Sequence, residues 1–509
     1  AAGREVAALL AGGAHARAPV FALATPLGTG VAALRQHLAQ AARWQAGRAS
    51  GGHFRLAIDR SFTLGGAGRI VTGTVLSGRV RVGDAVIVSP QGTPARVRGL
   101  HAQNRVAAAA GAGQRCALNL AGPELKRVEP QRGDWVVAAA AHAPTERLDV
   151  RLRVLLSEAR PLSQRSALQL HLGAAALNVR VSALGGAPLV PGGEALARLL
   201  LDRPVAAAHG DRFILRDAAA RRTLAGGWVI DPFGPARGRS RPARLAQLAA
   251  LALPEPWQAL SACLDLASEG VDLGAFARSR NLLPDEAQQL HERAALQHIA
   301  GDGGPWGLSP AHWQAWRARV LAALDRWHAE QPDSLGPDDA ALRAELGGAA
   351  TARAVWRACL AALVDEGAVV REGLRHRRSG HRAALADADR ELLDRVLARL
   401  RPAGLRPPIV GELAAALGLP LAALSEFLGR MTRRGLLVRV APNRWYPPEA
   451  VAGLIAQARA LAAESADGSC DAAAFRDRTA IGRNLAVQVL EFLDREGITR
   501  FDGVRHRLL

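Results

Sequence analysis

Phosphate chemistry in this chain is limited by its lysine content. Of the 65 basic residues among 509, only Lys126 is a lysine. A phosphate-binding loop of the G-x-x-x-x-G-K-[ST] type needs a lysine that reaches the nucleotide phosphates. Lys126 lies in residues 123–127 (PELKR), and no glycine loop precedes it. A guanine-recognition N-K-x-D motif is excluded for the same reason. We therefore expect no nucleotide hydrolysis by these 509 residues alone.

Cysteine and histidine spacing gives no pattern typical of a metal site or a nucleophile. The four cysteines are far apart and form no C-x-x-C pair: Cys116, Cys263, Cys359 and Cys470. This spacing argues against a disulfide framework, and buried thiols are the simplest interpretation. The 14 histidines show no H-E-x-x-H spacing and no Ser/His/Asp grouping. We expect no metal site and assign no catalytic residue.

The charge is concentrated in the first half of the chain. The first 245 residues hold 33 basic against 14 acidic residues and so carry the whole net charge of +19, whereas residues 246–509 hold 32 of each. A basic field over two domains favours a polyanionic partner, most often nucleic acid. No run of 18 or more uncharged apolar residues occurs, so we expect no transmembrane helix, no membrane partner and a cytoplasmic protein.

The elements that must position any site change character along the chain. Residues 1–48 predict one short buried strand at 20–23 and one helix at 31–44, which together are too little for an independent core. Residues 53–141 and 146–236 alternate apolar and polar positions between glycine-rich turns, which is typical of two β-barrels. From residue 245 onward the pattern is helical.

A repeat in the helical half indicates tandem winged helices. Apolar residues stand seven and four positions before Gly367, Gly435 and Gly497, and β-branched or apolar residues follow each glycine. A helix that ends at a glycine and leads into a hairpin, repeated at domain size, fits winged helices better than a solenoid, whose repeats are shorter. Four domains are predicted, with the first one degenerate: residues 245–308, 309–384, 385–448 and 449–509.

The first barrel carries the most specific motifs. V-T-G-T-V stands at 71–75, H-A-Q-N at 101–104 and A-G-Q-R-C-A-L-N at 112–119. With the surrounding residues 54–60 and 82–84, these motifs closely resemble the second domain of translational GTPases, and among them the bacterial selenocysteine-specific elongation factors. L-R-D at 215–217 resembles that family's third domain. F-R-D-R at 475–478 and G-R-N-L-A at 482–486 resemble its last winged helix.

The resemblance implies a multidomain fold: the end of an α/β GTPase domain at 1–48, domain II at 53–141, domain III at 146–236 and four winged helices. Most of the family's GTPase domain has no counterpart in the 509 residues. GTP and Mg²⁺ are implied for the full-length family only, and no cofactor is expected for this chain alone. The nucleotide site itself is unknown. What remains of the guanine-binding region is the loop at Leu23, Ala24 and Thr25.

The resemblance also implies two RNA sites. The family's pocket for the aminoacyl end of selenocysteyl-tRNA matches Asp59, Arg60 and Arg115. The family also binds an mRNA hairpin that follows the recoded UGA codon. The residues implied for this contact lie in the last winged helix: Arg476, Arg478, Arg483, Asn484, Arg500, Arg505 and Arg507. The ordinary alternatives are a barrel-rim ion pair between Asp59 and Arg60, and a solvated arginine face. A further arginine cluster at 371–382 either touches RNA or is solvated.

The implied function is delivery of selenocysteyl-tRNA to a ribosome at UGA codons by a monomer that also binds the mRNA hairpin. Two alternatives remain at this point. A winged-helix DNA-binding regulator would predict a basic helical half, which the zero net charge of residues 246–509 disfavours. An inactive fragment would aggregate through an exposed strand at 20–23.

Overall fold

A computed structural model of the chain describes residues 2–11, 15–44, 51–66, 68–163, 167–186, 188–238, 240–301, 304–347, 350–465 and 468–508. The chain forms two compact units. Ala1–His298 with Asp302–Ser309 form the first unit, and Ile299–Gly301 with Pro310–Leu509 form the second. Each unit is described separately below.

The N-terminal region contains two helices, α1 (Ala2–Leu10) and α2 (Val31–Trp44), with a short 3-10 turn at Thr25–Leu27 between them. The predicted buried strand at 20–23 is wrong. Only a single bridge, Ala24 to Thr29, forms there, and Val20 is 61% exposed. A strand needs a neighbouring strand for its backbone hydrogen bonds, and none pairs with this segment among the described residues.

The first barrel follows, and it buries alternate residues at 93–97 and 116–120. Its strands are β1 (Arg55–Leu64), β2 (Gly68–Ser77), β3 (Arg79–Arg81), β4 (Ala85–Ser89), β5 (Thr93–Ala102), β6 (Arg105–Val106), β7 (Ala109–Gly111), β8 (Arg115–Ala121) and β9 (Trp135–Val137). Six of these strands run in the order β4-β9-β1-β2-β8-β5, and pairing of β4 with β5 closes the barrel, while β6 pairs with β5 and β3 with β7. Burial in its core raises the pKa of the Cys116 thiol to about 12, so this cysteine is an inert core residue.

The second barrel is built from longer strands. They are β10 (Pro144–Val154), β11 (Leu168–Leu172), β12 (Ala175–Ala183), β13 (Glu194–Ala206), β14 (Arg212–Asp217) and β15 (Thr223–Asp231). These six strands close in the order β10-β13-β12-β11-β14-β15. Leucine and valine side chains from every strand fill the interior. The prediction of two barrels is confirmed.

The first winged helix shares a core with the second barrel. It comprises α3 (Pro242–Leu251), α4 (Pro256–Leu266), β16 (Val271–Asp272), α5 (Leu273–Ser279), α6 (Pro284–Arg293), β17 (Gln297–Gly301) and β18 (Gly304–Leu308). Leu184 and Ile230 of the barrel pack in one cluster with Leu248 and Leu260 of the helices. This winged helix is therefore attached to the barrel by a second hydrophobic cluster, separate from the one that fills the barrel interior.

A buried ion network reinforces that attachment. Arg198 donates to both carboxylate oxygens of Asp149, at 2.6 and 2.7 Å. Arg244 of α3 donates to Asp149 at 2.5 Å and to Asp231 at 2.6 Å. All four side chains are buried. Buried charges need such partners, because removing one member of a buried ion pair leaves the other charge unpaired. The loss lowers the stability of the folded protein by about 3–5 kcal/mol.

Asn281, in the loop after α5, joins the same winged helix to the segment that enters the first barrel. Its Nδ2 donates to the carbonyl oxygen of His53 at 2.9 Å and to Ser77 Oγ at 3.0 Å. The backbone N–H of His53 donates back to the Asn281 carbonyl at 3.3 Å. Asn281 adopts a φ of 55°, a left-handed conformation that asparagine tolerates better than most residues. Residue 53 is therefore anchored to two domains.

The second unit contains the other three winged helices. The second has α7 (Pro310–Glu330), α8 (Asp339–Leu346), α9 (Ala350–Asp365), β19 (Val369–Glu372) and β20 (Arg375–Arg378). The third has α10 (Asp387–Leu400), α11 (Val410–Leu417), α12 (Leu421–Arg433), β21 (Val438–Ala441) and β22 (Arg444–Tyr446). The fourth has α13 (Pro448–Glu464), β23 (Ser469–Cys470), α14 (Ala472–Thr479), α15 (Arg483–Arg495), β24 (Thr499–Phe501) and β25 (His506–Leu508).

The repeat of glycines seen in the sequence is confirmed as a repeat of helix ends. Gly367, Gly435 and Gly497 follow α9, α12 and α15 with φ values of 74°, 76° and 67°. Each glycine turns the chain from the helix into a two-stranded wing. Glycine adopts this left-handed conformation without steric cost because it lacks the Cβ atom that would clash in other residues. The apolar residues seven and four positions before each glycine are buried.

No described helix is, by itself, long and apolar enough to cross a membrane. The pair Val410–Leu417 and Leu421–Arg433 meets the length and composition test only when joined across a 110° bend.

Among the described residues, no group of three histidine, cysteine, aspartate or glutamate side chains is arranged to hold a metal ion.

Candidate RNA-binding surfaces

Asp59 and Arg115 meet on the outer surface of the first barrel. Arg115 Nη2 lies 2.9 and 3.0 Å from the two carboxylate oxygens of Asp59, and its Nε lies 3.2 Å from Oδ2. Thr72 Oγ1 donates to Asp59 Oδ1 at 2.6 Å. The Arg115 side chain is 54% exposed and that of Asp59 34%. A ligand can therefore reach the guanidinium while the carboxylate holds it in place.

The strand geometry explains why these three side chains converge. They come from β1, β2 and β8, which are adjacent in the barrel. The register shifts between Ile58 and Arg60, so Asp59 has no directly opposite residue and forms a bulge. Bulges redirect a side chain at a barrel surface. Gly73, opposite Ile58, allows the close approach, because a Cβ there would lie 2.0 Å from the carbonyl oxygen of Ala57.

Arg60 is separate from this group. It lines a neighbouring cleft of about 530 Å³ with Phe62, Arg69, Glu129 and Arg132 among others, and Arg69 forms an ion pair with Glu129. Asp59 thus pairs with Arg115 and not with Arg60. Thr72 was not identified from the sequence. The alternating side-chain pattern of β2, which contains the V-T-G motif and pairs with β1, was the sequence signal from which Thr72 could have been identified.

The loop at Leu23, Ala24 and Thr25 lies in the N-terminal region, before α2. Leu23 and Thr25 are exposed, and Thr25 begins a single 3-10 turn. Lys126 ends another 3-10 turn, Pro123–Lys126, in the first barrel. Across the described ranges, no glycine loop leads into a lysine that could reach phosphates. We therefore assign no step of nucleotide chemistry to these residues.

The last winged helix presents two of its predicted residues at the start of α15. Arg483 and Asn484 occupy the first turn and are exposed. The residue before the helix, Gly482, supplies no side-chain cap. The first backbone N–H groups of a helix carry a partial positive charge and attract anions. Arg500 is exposed on the wing strand β24. Within the described part of the chain, neither Arg483 nor Arg500 forms an ion pair.

The other predicted arginines of this domain are engaged within the protein. Arg476 pairs with Asp477 at 2.6 Å, and Arg478 pairs with Glu464 at 2.6 Å. Arg505 Nη1 donates to Ser469 Oγ at 3.5 Å. The Asp502 carboxylate accepts hydrogen bonds from the Arg505 backbone N–H at 2.9 Å and from Arg507 Nε at 2.8 Å. These hydrogen bonds, with that from the Val504 backbone, lower the pKa of Asp502 to about 2.

Three of the five arginines in the cluster at 371–382 are likewise paired. Arg375 lies 3.6 Å from Asp338, and Arg378 lies 2.9 Å from Asp325. Arg377 pairs with Glu372 in the same hairpin. The cluster at 371–382 is therefore largely neutralised by the protein's own carboxylates. The first turn of α15 is a better candidate surface.

Comparison with known proteins places this architecture in a family. The model "Selenocysteine-specific elongation factor, beta-barrel domain" matches residues 149–236, and "Elongation factor Tu domain 2" matches 68–137. Two further family models, both described as "Elongation factor SelB, winged helix", match residues 321–374 and 462–508.

Whole-chain comparisons agree with these matches. The selenocysteine-specific elongation factor of Escherichia coli strain K12 is 34% identical over 519 residues, which cover 99% of this chain and 78% of that protein. The factor of Desulfomicrobium baculatum is 29% identical over 99% of this chain and 79% of its own length. A crystal structure of a bacterial selenocysteine-specific elongation factor shares the fold, with a TM-score of 0.53 at 18% identity, over 95% of this chain and 74% of that one. By this similarity along nearly its whole length, the chain belongs to the family of selenocysteine-specific elongation factors.

Proposed function

We propose that this chain binds selenocysteyl-tRNA with its first barrel and an mRNA hairpin with its last winged helix, and so directs the tRNA to ribosomes at UGA codons. The observation that carries the proposal is the group formed by Asp59, Thr72 and Arg115. Family membership supplies the role, and the geometry of this group supplies a chemical reason for it. GTP hydrolysis, which the family couples to delivery, is not assigned to any residue here.

A selenol side chain suits the exposed guanidinium of Arg115. A selenol is more acidic than a thiol, so it is an anion at neutral pH, and a guanidinium forms strong charge-assisted hydrogen bonds with anions. Arg115 uses Nε and Nη2 toward Asp59. In the described structure its Nη1 group makes no hydrogen bond and is left for the ligand. The Asp59 carboxylate fixes the guanidinium plane and can accept from the ligand's α-amino group.

At the other end of the chain, α15 has the features of an RNA-binding helix. Arg483 and Asn484 are exposed beside uncapped N–H groups. The N–H groups suit phosphate oxygens. Arginine and asparagine side chains can hydrogen-bond the edges of unstacked loop bases, which is how proteins usually recognise RNA by sequence.

The experiment that tests the hairpin-binding part of the proposal is competitive binding with the whole chain. The labelled RNA is the hairpin that follows the in-frame UGA of a selenoprotein message from the same organism. The competitors are the same hairpin with a scrambled loop and a duplex DNA of equal length, at two salt concentrations. Preference for the native loop supports the proposal. Equal and steeply salt-dependent binding to all three would contradict it and indicate a generic basic surface. Preference for the duplex DNA would instead favour a DNA-binding regulator.

A further inference from the structure

A second basic feature borders the first turn of α15. A cleft of about 410 Å³ is lined by Arg406, Arg444, Gly482, Arg483, Asn484 and Leu485. We call it the basic cleft. Its lining contains three arginines and no carboxylate. Two of the arginines belong to the third winged helix and one to the fourth, so neither domain forms the cleft alone.

The two domains are held together by a shared core beside the cleft. Val440 and Tyr446, from the wing of the third winged helix, are buried in one cluster with Val451 and Leu490 of the fourth. Tyr446 is fully buried. Because side chains of one domain fill the core of the other, the relative positions of Arg444 and Arg483 are set by close packing rather than by a flexible linker.

The loop that carries Arg406 is also held in place. Tyr446 Oη donates to the carbonyl oxygen of Leu405 at 3.2 Å, and Arg444 Nη1 donates to that of Pro407. The backbone N–H of Val410 donates to the Asn443 carbonyl at 2.9 Å. Arg406 itself is exposed and has no ion-pair partner among the described residues. Its guanidinium is therefore a free cation on a fixed backbone.

We propose that the basic cleft binds a backbone phosphate of the RNA hairpin, so that the third winged helix shares in gripping the RNA that the fourth one recognises. The proposal rests on the proposed function of the last winged helix. The ligand chemistry follows from the lining: guanidinium groups and open helix N–H groups together form hydrogen bonds to phosphate oxygens. A phosphodiester carries no base identity, so this contact adds affinity independent of loop sequence.

The test compares whole-chain variants in hairpin binding over a range of salt concentrations. Arg406→Gln removes the cleft's free charge while keeping a polar side chain of similar length. Arg399→Ala is the matched control, because Arg399 is an exposed arginine of α10 in the same domain and outside the cleft lining. Each RNA is tested with its native loop and with a scrambled loop, and thermal unfolding of both variants checks that they fold.

The expected result for Arg406→Gln is about 3- to 10-fold weaker binding to both loop variants at 0.1 M salt. The slope of log affinity against log salt should fall by about one, which corresponds to one lost phosphate contact. The ratio between native and scrambled loops should not change. Arg399→Ala should leave both affinity and slope unchanged.

Other outcomes separate this proposal from the proposed function. Native-loop preference in the wild type with equal affinities and slopes for Arg406→Gln and Arg399→Ala would overturn the cleft proposal and leave the hairpin function standing. A loss of loop preference in Arg406→Gln would also overturn it, since the residue would then contact a base. If the wild type shows no loop preference but Arg406→Gln still loses one unit of salt slope, the cleft is a phosphate site and the hairpin function fails.

Discussion

Arg115 and Asp59 are joined by hydrogen bonds across an intervening strand, with Thr72 of that strand bonded to the same carboxylate. Both charged side chains are substantially exposed, so water screens their attraction. Exposed pairs contribute only about 0–1 kcal/mol to stability. The main effect of the ion pair is therefore to orient the Arg115 guanidinium at the barrel surface, and its contribution to stability is small.

The first prediction concerns the selenocysteine side chain. Arg115→Ala should weaken binding of selenocysteyl-tRNA by about 10- to 100-fold, since a charge-assisted hydrogen bond contributes about 1.5–3 kcal/mol. Binding of the same tRNA carrying serine should change less, because a hydroxyl is neutral. Protection of the aminoacyl ester from hydrolysis measures both affinities. Arg79→Ala, at an exposed arginine on β3 of the same barrel, is the control. Equal losses for the two aminoacyl groups would disprove the anion-binding role.

A second prediction ranks the arginines of the last winged helix. Arg483→Ala should reduce the preference for the native hairpin loop, because Arg483 has no ion-pair partner among the described residues. Arg478→Ala should have a smaller effect on RNA binding, since Arg478 already donates to Gln457 and Glu464 and the Glu464 carboxylate offsets its charge. Competition between native and scrambled hairpins measures the preference. The ranking would be refuted by equal effects, or by a larger effect of Arg478→Ala.

The buried ion network gives a stability prediction. Arg244→Ala should lower the free energy of unfolding by about 3–5 kcal/mol, because it leaves the Asp149 and Asp231 carboxylates buried with too little positive charge. Arg241→Ala, at an exposed position just before α3, should change it by less than about 0.5 kcal/mol. Urea unfolding followed by circular dichroism makes the comparison. Similar shifts for both variants would show that the network is not stabilising.

A stacked histidine pair gives a pH prediction for the second unit. The rings of His328 and His381 are 3.6 Å apart, and the His328 Nε2 accepts the backbone N–H of Arg378 at 3.2 Å. Burial, and then the neighbouring His381, Arg377 and Arg378, lower the pKa of His328 to about 4 despite the opposing effect of Asp325. Protonation of Nε2 would also displace the Arg378 N–H.

The sign follows from the lowered pKa. As pH falls from about 6.5 to about 4, the unfolded histidine takes up a proton and the folded one does not, so stability is lost over this window. His328→Gln keeps a hydrogen-bond acceptor and cannot titrate there. Its melting temperature should therefore fall less steeply between pH 6.5 and 4 than that of the wild type. Parallel pH profiles for the two proteins would exclude His328 as the cause.

Local features of the fold were predictable from the sequence, and features that depend on distant partners were not. Gly367, Gly435 and Gly497 were identified as helix ends because a left-handed C-terminal residue is a local requirement. The segment at 20–23 has the composition of a strand and forms none, since strand pairing depends on residues elsewhere in the chain.

The same distinction applies to the candidate sites. Arg478 and Arg483 look alike in the sequence, five residues apart in an arginine-rich stretch. What separates them is Glu464, on another helix, which pairs with only one of them. Arg406 belongs to a different domain from Arg483, and only the packing of Tyr446 into the last winged helix makes their common cleft visible. Motif matching finds the residue types, whereas the three-dimensional structure shows which of them are already occupied.

Anchoring of His53 by Asn281 has a mechanical consequence. A pulling force applied to the backbone at residue 52 would not be borne by the first barrel alone. The hydrogen bonds in both directions between His53 and Asn281, and the bond from Asn281 to Ser77, would share the load with the first winged helix. That winged helix is in turn fixed to the second barrel by a common core. Tension entering at this one point would thus be distributed over three domains.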